Sequence, residues 1–132
     1  IHTIPTVFVA FHADTGAERD HANSYHVLNE NVPKLPGHDY VWMLDANNVV
    51  DPTLDAARSD RKHTAQEHEQ GVMALKECAD KWGDNGSPLQ DAFRCLYPSL
   101  CEYTRYSRWG RLTSYRRIDR ILVSPRLLDR SY

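Results

Sequence analysis

The hydrophobic positions of the chain fall into a few runs separated by clear breaks. Thr6-Val7-Phe8-Val9-Ala10-Phe11 is β-branched and aromatic throughout and lies between Pro5 and the polar Asp14-Thr15-Gly16. Such a run predicts a buried strand. A polar helix is expected over Ala17–Val32, capped by Thr15 or Gly16, with Tyr25, Leu28 and Val32 at helical spacing and Pro33 and Pro36 stopping it. Asp39–Leu44 reads as a second buried strand, and Asp45–Asp55, which contains Pro52, as a polar loop. A long helix is predicted over Thr64–Trp82, because Val72, Leu75, Ala79 and Trp82 share one face. Gly83-Asp84-Asn85-Gly86-Ser87-Pro88 is a turn. Leu89–Tyr97 reads as a short helical piece ended by Pro98. Tyr103-Thr104 suggests part of an edge strand, and Tyr115–Val123 a strand that Pro125 ends. This order predicts a mixed α/β layer fold, α/β (α+β) in class, rather than a bundle or an all-β barrel. An element order of this kind names no function.

Composition narrows the classes. The 132 residues suit one ordinary domain, and 41% hydrophobic with 26% charged residues excludes a disordered chain. The chain opens on Ile1 without a methionine and enters a strand-like run almost at once, so it is expected to be cut from something longer. No secretory signal pattern is visible. The longest apolar runs are about five residues, against the roughly 20 that span a bilayer. Cys78, Cys95 and Cys101 are odd in number and lack C-x-x-C spacing, so neither a disulfide framework nor a zinc knuckle is expected. His63 and His68 stand five apart, about 140° round a helix, and do not make the i,i+4 pair of a metalloprotease.

Charge changes the picture more. The net charge is −2, yet Arg105 to Arg130 holds eight arginines against only Asp119 and Asp129. Tyr103, Tyr106, Trp109 and Tyr115 are interleaved with them. Guanidinium forks grip phosphate oxygens in pairs and aromatic faces stack on bases, so the segment suits a polyanion, nucleic acid above all. A solvated basic face fits the same composition. Arg105, Arg108, Arg111 and Arg116 are the candidate nucleic-acid contacts.

The stretch richest in chemistry is Leu44-Asp45-Ala46-Asn47-Asn48-Val49-Val50-Asp51-Pro52-Thr53-Leu54-Asp55. Asp45 and Asn47 stand one residue apart where an apolar strand breaks into a loop. Residues i and i+2 of an extended chain point the same way, so the two can converge beyond the strand's carboxyl end, where open α/β sheets place their ligands. A carboxylate that orients or deprotonates water and a neutral amide donor are two of the groups phosphodiester hydrolysis needs, commonly with a divalent ion. Taken alone, Asp-x-Asn also fits a plain Asx turn. Two further segments bear on it: Leu89-Gln90-Asp91-Ala92-Phe93-Arg94-Cys95-Leu96-Tyr97-Pro98, followed by Tyr103-Thr104, and Arg116-Arg117-Ile118-Asp119-Arg120-Ile121-Leu122-Val123-Ser124. Asp119 is a charge within an apolar run, so it is expected to be buried with a partner. Arg117 or Arg120 would make that partnership an ion pair; an imidazole would make it catalytic.

In this order, the four motifs resemble the endonuclease/exonuclease/phosphatase superfamily over nearly the whole chain. The likeness is greatest to exonuclease III-like apurinic endonucleases and to the endonuclease domains of non-LTR retrotransposons. The resemblance implies a four-layer α/β/β/α two-sheet sandwich of the DNase I-like type, of which residues 1–132 would be a single partial domain. It implies that Asp45 orients or activates the attacking water, that Asn47 contacts the scissile phosphate and fixes the aspartate, and that Asp119 holds a catalytic histidine. Asp55 and the Asp91–Arg94 segment would brace the site. It further implies Mg2+ or Mn2+ as cofactor, DNA as substrate, no membrane, an intracellular setting that includes the nucleus, and fusion to a reverse transcriptase in the parent protein.

Departures accompany the likeness. Leu44 stands where the family has glycine, Phe11 where a tyrosine reaches the phosphate, and Ala13 where a proline is common. The metal-binding glutamate and an asparagine are expected upstream of this chain, and the histidine of a Ser-Asp-His motif downstream of Tyr132. His12, His21 and the other histidines do not fit that slot. Three readings follow: a DNA endonuclease domain, a relative acting on a non-DNA phosphoester, and a decayed copy that at most binds nucleic acid.

Overall fold

The computed structural model describes residues 3–58 and 69–129. The expected strands at the front of the chain form β1 (Thr6–His12) and β2 (Asp39–Asp45), which pair in parallel from Thr6↔Asp39 to His12↔Asp45. Between them runs α1 (Glu18–Asn31). Its buried residues, His21, Ala22, Tyr25 and Leu28, follow the one-face spacing of an amphipathic helix. Ala17 occupies the cap position without a side-chain bond, so neither Thr15 nor Gly16 caps this helix; Glu18 and Asp20 in its first turn complement the helix dipole instead.

Where a polar loop is expected after β2, the chain makes a helical turn, α2 (Pro52–Asp55), and a short strand, β3 (Ala56–Arg58). Asp51 caps that turn by accepting from the amides of Thr53 and Leu54, with Pro52 at the first helical position. The long helix is α3 (Glu69–Trp82); its expected first residues, Thr64 to His68, and the histidine pair His63 and His68 lie outside the described residues. Asn85 and Gly86 both have positive φ, 50° and 78°, in the Asp84–Ser87 turn that follows, the signature of an Asn-Gly hairpin turn.

The expected helix over Leu89–Tyr97 is only partly helical. Gln90–Asp91 is a strand, β4, and Ala92–Leu96 a short helix, α4, because the Asp91 carboxylate caps it by accepting from the Arg94 amide. The last expected strand divides in two. β5 (Arg105–Trp109) and β6 (Leu112–Arg116) form a hairpin, and β7 (Asp119–Val123) follows after a break at Arg117-Ile118. At the break the Arg117 amide donates to the Asp55 carbonyl, while the Thr104 hydroxyl accepts from the amides of Ile118 and Asp119. The backbone ladder thereby changes partners. Pro125–Leu128 closes the described chain as a helical turn, α5.

Two sheets result, ordered β1-β2-β7-β4 and β3-β6-β5, with β1·β2 the only parallel pair among the described strands. The mixed α/β class expected from the sequence is what the chain adopts. Helices α1 and α3 cover one face of the four-stranded sheet. There Val9, Tyr40, Trp42, Leu44 and Leu122 meet Tyr25, Leu28, Leu75, Cys78 and Trp82, with the Trp42 and Trp82 rings 5.0 Å apart. Alternation sends the intervening residues to the opposite face, which stays open: Phe8 is 67%, Met43 44% and Ile121 50% exposed. Among the described residues no helix is long and apolar enough to cross a membrane.

Candidate functional site

Register gathers the candidate residues. His12, Asp45 and Asp119 are direct neighbours across β1, β2 and β7, so they form one row at the end of the open sheet face. The backbone fixes this end on both sides. The Asp45 carbonyl accepts from the Ala13 amide (2.9 Å), and the Ala46 amide donates to the Ile118 carbonyl (2.8 Å). Asn47 has φ +47°, in the left-handed region that asparagine tolerates better than most residues. Its side-chain Nδ2 donates to the Ala13 carbonyl at 2.7 Å and lies 3.4 Å from His12 Nε2, and its backbone amide approaches Asp45 Oδ1 at 3.3 Å. Asp45 and Asn47 are therefore neighbours through an Asx-type turn rather than the extended alternation expected, with the Asn47 side chain directed to Ala13. His12 joins them, with Nε2 3.4 Å from Asp45 Oδ2, a neighbour the sequence reading had set aside.

Asp119 departs from expectation. It is exposed, and neither Arg117 nor Arg120 pairs with it. Strand alternation explains the error: residues 119 and 121 turn to the open face, while Arg120 and Leu122 turn inward. The buried charges are the arginines. Arg117 and Arg120 both bond Asp55 and Asp91, and Arg94 adds a bond to Asp55. Burial raises the Asp55 carboxyl, but the bonds from Arg117 and Arg94 and the charge of Arg120 outweigh it, holding the group at about 2. Asp91 is lowered for the same reasons. Asp55 and Asp91–Arg94 thus brace the Arg117-Ile118 break from which Asp119 projects.

Two recesses flank the row. Asp45 and Asp119 line a cleft of about 710 Å³ whose walls include Met43, Phe93, Tyr97, Thr104 and Ile121. Asn47 lines a smaller one of about 360 Å³, shared with Thr15 and with Arg105, Ser107, Trp109, Ser114 and Arg116 of the hairpin. Cross-strand pairs Arg105↔Arg116, Ser107↔Ser114 and Trp109↔Leu112 explain why these residues share a face. Arg108 pairs with Thr113 and belongs to the other face beside Tyr106 and Tyr115, and Arg111 sits in the turn. The four candidate arginines therefore do not act from one surface: Arg105 and Arg116 adjoin Asn47, and the others do not.

Among the described residues, no group of three or more His, Cys, Asp or Glu side chains is arranged to hold a metal ion. The three cysteines are free. Comparison with protein-family models and with curated proteins returns no match for this chain.

Proposed function

We propose that the chain is the C-terminal part of a metal-dependent phosphodiesterase domain that cleaves DNA, built as a DNase I-like two-sheet sandwich. The observation that carries this reading is the convergence of Asp45 and Asn47 beside Asp119, at a strand end that opens toward the Arg105–Arg116 face. In the reaction, Asp45 orients water and takes its proton as the oxygen attacks phosphorus. Asn47 and the neighbouring guanidinium groups hold the phosphate oxygens as charge grows on them. The bond to the leaving oxygen breaks, and that oxygen takes a proton from solvent water. Mg2+ or Mn2+ belongs to this reading, but Asp45 and Asp119 do not by themselves fit a closed metal site. The glutamate that would complete it is expected upstream. DNA is favoured over a small phosphoester because Arg105 and Arg116 line the recess beside Asn47 and Arg108 and Arg111 are exposed on the same hairpin, and cation contacts to phosphates dominate such affinity. Arg117, Arg120 and Arg126 are engaged by Asp55, Asp91 and Asp39 instead.

One observation favours an inactive copy. Phe11, which stands where the family carries its phosphate-reaching tyrosine, turns inward with its ring 5.4 Å from that of Tyr25. Nicking of supercoiled plasmid by the parent polypeptide decides between the readings. Magnesium-dependent nicking, abolished by chelation and reduced at least a hundredfold in Asp45→Ala, is the expected result. Unchanged nicking in Asp45→Ala removes that residue from the mechanism, and its absence in the unsubstituted polypeptide selects the inactive reading.

A further inference from the structure

We propose that His21 and Tyr25 of α1 are positioning residues, which set the geometry of the Asp45–Asn47 turn through the Ala46 carbonyl. The inference rests on reading that turn as the reactive part of the molecule. Ala46 lies between the two candidate residues and is fully buried. Its carbonyl oxygen accepts from the Tyr25 hydroxyl at 2.8 Å and from His21 Nε2 at 2.8 Å, and its amide donates to Ile118. A carbonyl can only accept, so the Nε2 proton is present in this contact. The peptide units between Asp45 and Asn47 are thus tied to α1 and to the Arg117-Ile118 break, which fixes the directions in which the Asp45 and Asn47 side chains leave the backbone.

The surrounding packing serves the same carbonyl. His21 and Tyr25 stand four apart on one helix face, and their rings meet edge to face with centroids 5.4 Å apart. Asn48, buried just beyond the turn, donates its side-chain amide to the Tyr25 hydroxyl at 3.3 Å. From α3, Gly71 lies so close that a Cβ there would sit 1.9 Å from His21 Nδ1. Burial keeps the Tyr25 phenol far above the usual tyrosine range, so it stays a donor at any working pH.

A plain core would not be built this way. One buried carbonyl needs one partner, and burying an imidazole and a phenol is costly unless each is bonded. Phenylalanine and leucine would fill the same space without that cost. Two buried donors spent on the acceptor between Asp45 and Asn47 are explained if the shape of that turn must not vary.

Three single variants of the 132-residue chain test the inference, each checked for folding by thermal unfolding: Tyr25→Phe, His21→Leu, and His21→Gln, which restores an N–H donor near Nε2. In solution NMR, the Ala46 carbonyl carbon and the Asn47 side-chain amide should both shift in Tyr25→Phe and His21→Leu and return toward their original positions in His21→Gln. In the nicking assay on the parent polypeptide, Tyr25→Phe should lower kcat roughly ten- to a hundredfold with KM for DNA unchanged, since small misplacements cost that much. His21→Gln should recover most of the loss that His21→Leu incurs. Unmoved Asn47 resonances in the folded variants overturn the inference, as does a kcat loss no larger than the loss of folded protein. Should His21→Leu not fold, Tyr25→Phe, which keeps the ring, carries the decision. If the unsubstituted polypeptide does not nick, the phosphodiesterase reading falls, while the NMR result still decides whether the carbonyl sets the turn.

Discussion

Replacing Asp55 by asparagine takes one negative charge out of a buried cluster that holds three guanidinium groups against two carboxylates. Asp55 is 1% exposed and bonds Arg94, Arg117 and Arg120. After the change, Arg117 and Arg120, themselves buried, share only Asp91. Breaking a buried pair by removing one partner costs about 3–5 kcal/mol, because the remaining charge is left uncompensated. Proton linkage gives a separate figure. The Asp55 carboxyl falls from 3.8 to about 2 on folding, and at about 1.4 kcal/mol per unit this is on the order of 2–3 kcal/mol of stability. The second figure is smaller because a protonated aspartate still occupies the site. A folded-state value below the unfolded one means the stabilisation is complete above the unfolded value, near pH 4, and lost as pH falls toward 2. Urea unfolding followed by circular dichroism should show Asp55→Asn less stable by about 3 kcal/mol at pH 7. The gap to the unsubstituted chain should close as pH drops from 4 to 2. Asp91 titrates in both proteins, so its own contribution largely cancels in the difference. A loss below about 1 kcal/mol at pH 7, or a gap that does not change with pH, refutes the account of the cluster.

Gly71→Ala reverses an ordinary rule. Glycine to alanine inside a helix usually gains about 0.5–1 kcal/mol, but here the new Cβ would meet the fully buried His21 ring. Overpacking of this kind should cost about 1–3 kcal/mol and lower the Tm; a raised Tm would show that the ring can yield. The hairpin makes a prediction about faces. Arg105→Gln should reduce the slope of log affinity for duplex DNA against log salt by about 0.9, as expected for one lost phosphate contact, and Arg108→Gln should reduce it less. Equal slopes for the two variants would deny the Arg105–Arg116 face its role.

The parts of this fold that were legible are those where one physical signal dominates. Thr6–Phe11 and Asp39–Leu44 are rich in apolar, β-branched and aromatic residues, and both form strands. The burial expected of them holds on one face only, since Phe8 and Met43 are on the open face. Asn85-Gly86 supplies two residues that tolerate positive φ, so the turn was legible too. β5 was not: Arg-Tyr-Ser-Arg-Trp is exposed or half-buried throughout, so no alternation marks it, and only pairing with β6 makes it a strand. Asp119 turns outward although its neighbours in sequence are apolar. Alternation alone does not decide this, because it groups Asp119 with Ile121 and Val123 as readily as Arg120 with Leu122, and only the cover of α1 and α3 on the Leu122 side sets which face is buried. The Asx turn at Asp45-x-Asn47 was legible because it needs only local geometry. His12 was missed because its approach to Asp45 depends on the parallel register of β1 and β2, which no local pattern encodes.

Register also separates the two readings of Asp45-x-Asn47. An Asx turn accounts for the approach of the Asn47 amide to Asp45 Oδ1, and for asparagine at positive φ. It does not account for Asp119. Two carboxylates directly opposite on antiparallel strands repel, and such cross-strand pairs shift stability by roughly 0.2–1 kcal/mol. Three arginines a few residues away neutralise Asp55 and Asp91. The exposed His12 ring stands 3.4 Å from Asp45. The chain therefore directs its buried arginines Arg117 and Arg120 to the bracing carboxylates, while Asp45 and Asp119 sit side by side at the edge of the open face. Arrangements that are locally unfavourable and uncompensated by their own fold are where function is expected. By that criterion, the Asp45–Asp119 row argues for a site more strongly than the Asp45-x-Asn47 tripeptide does.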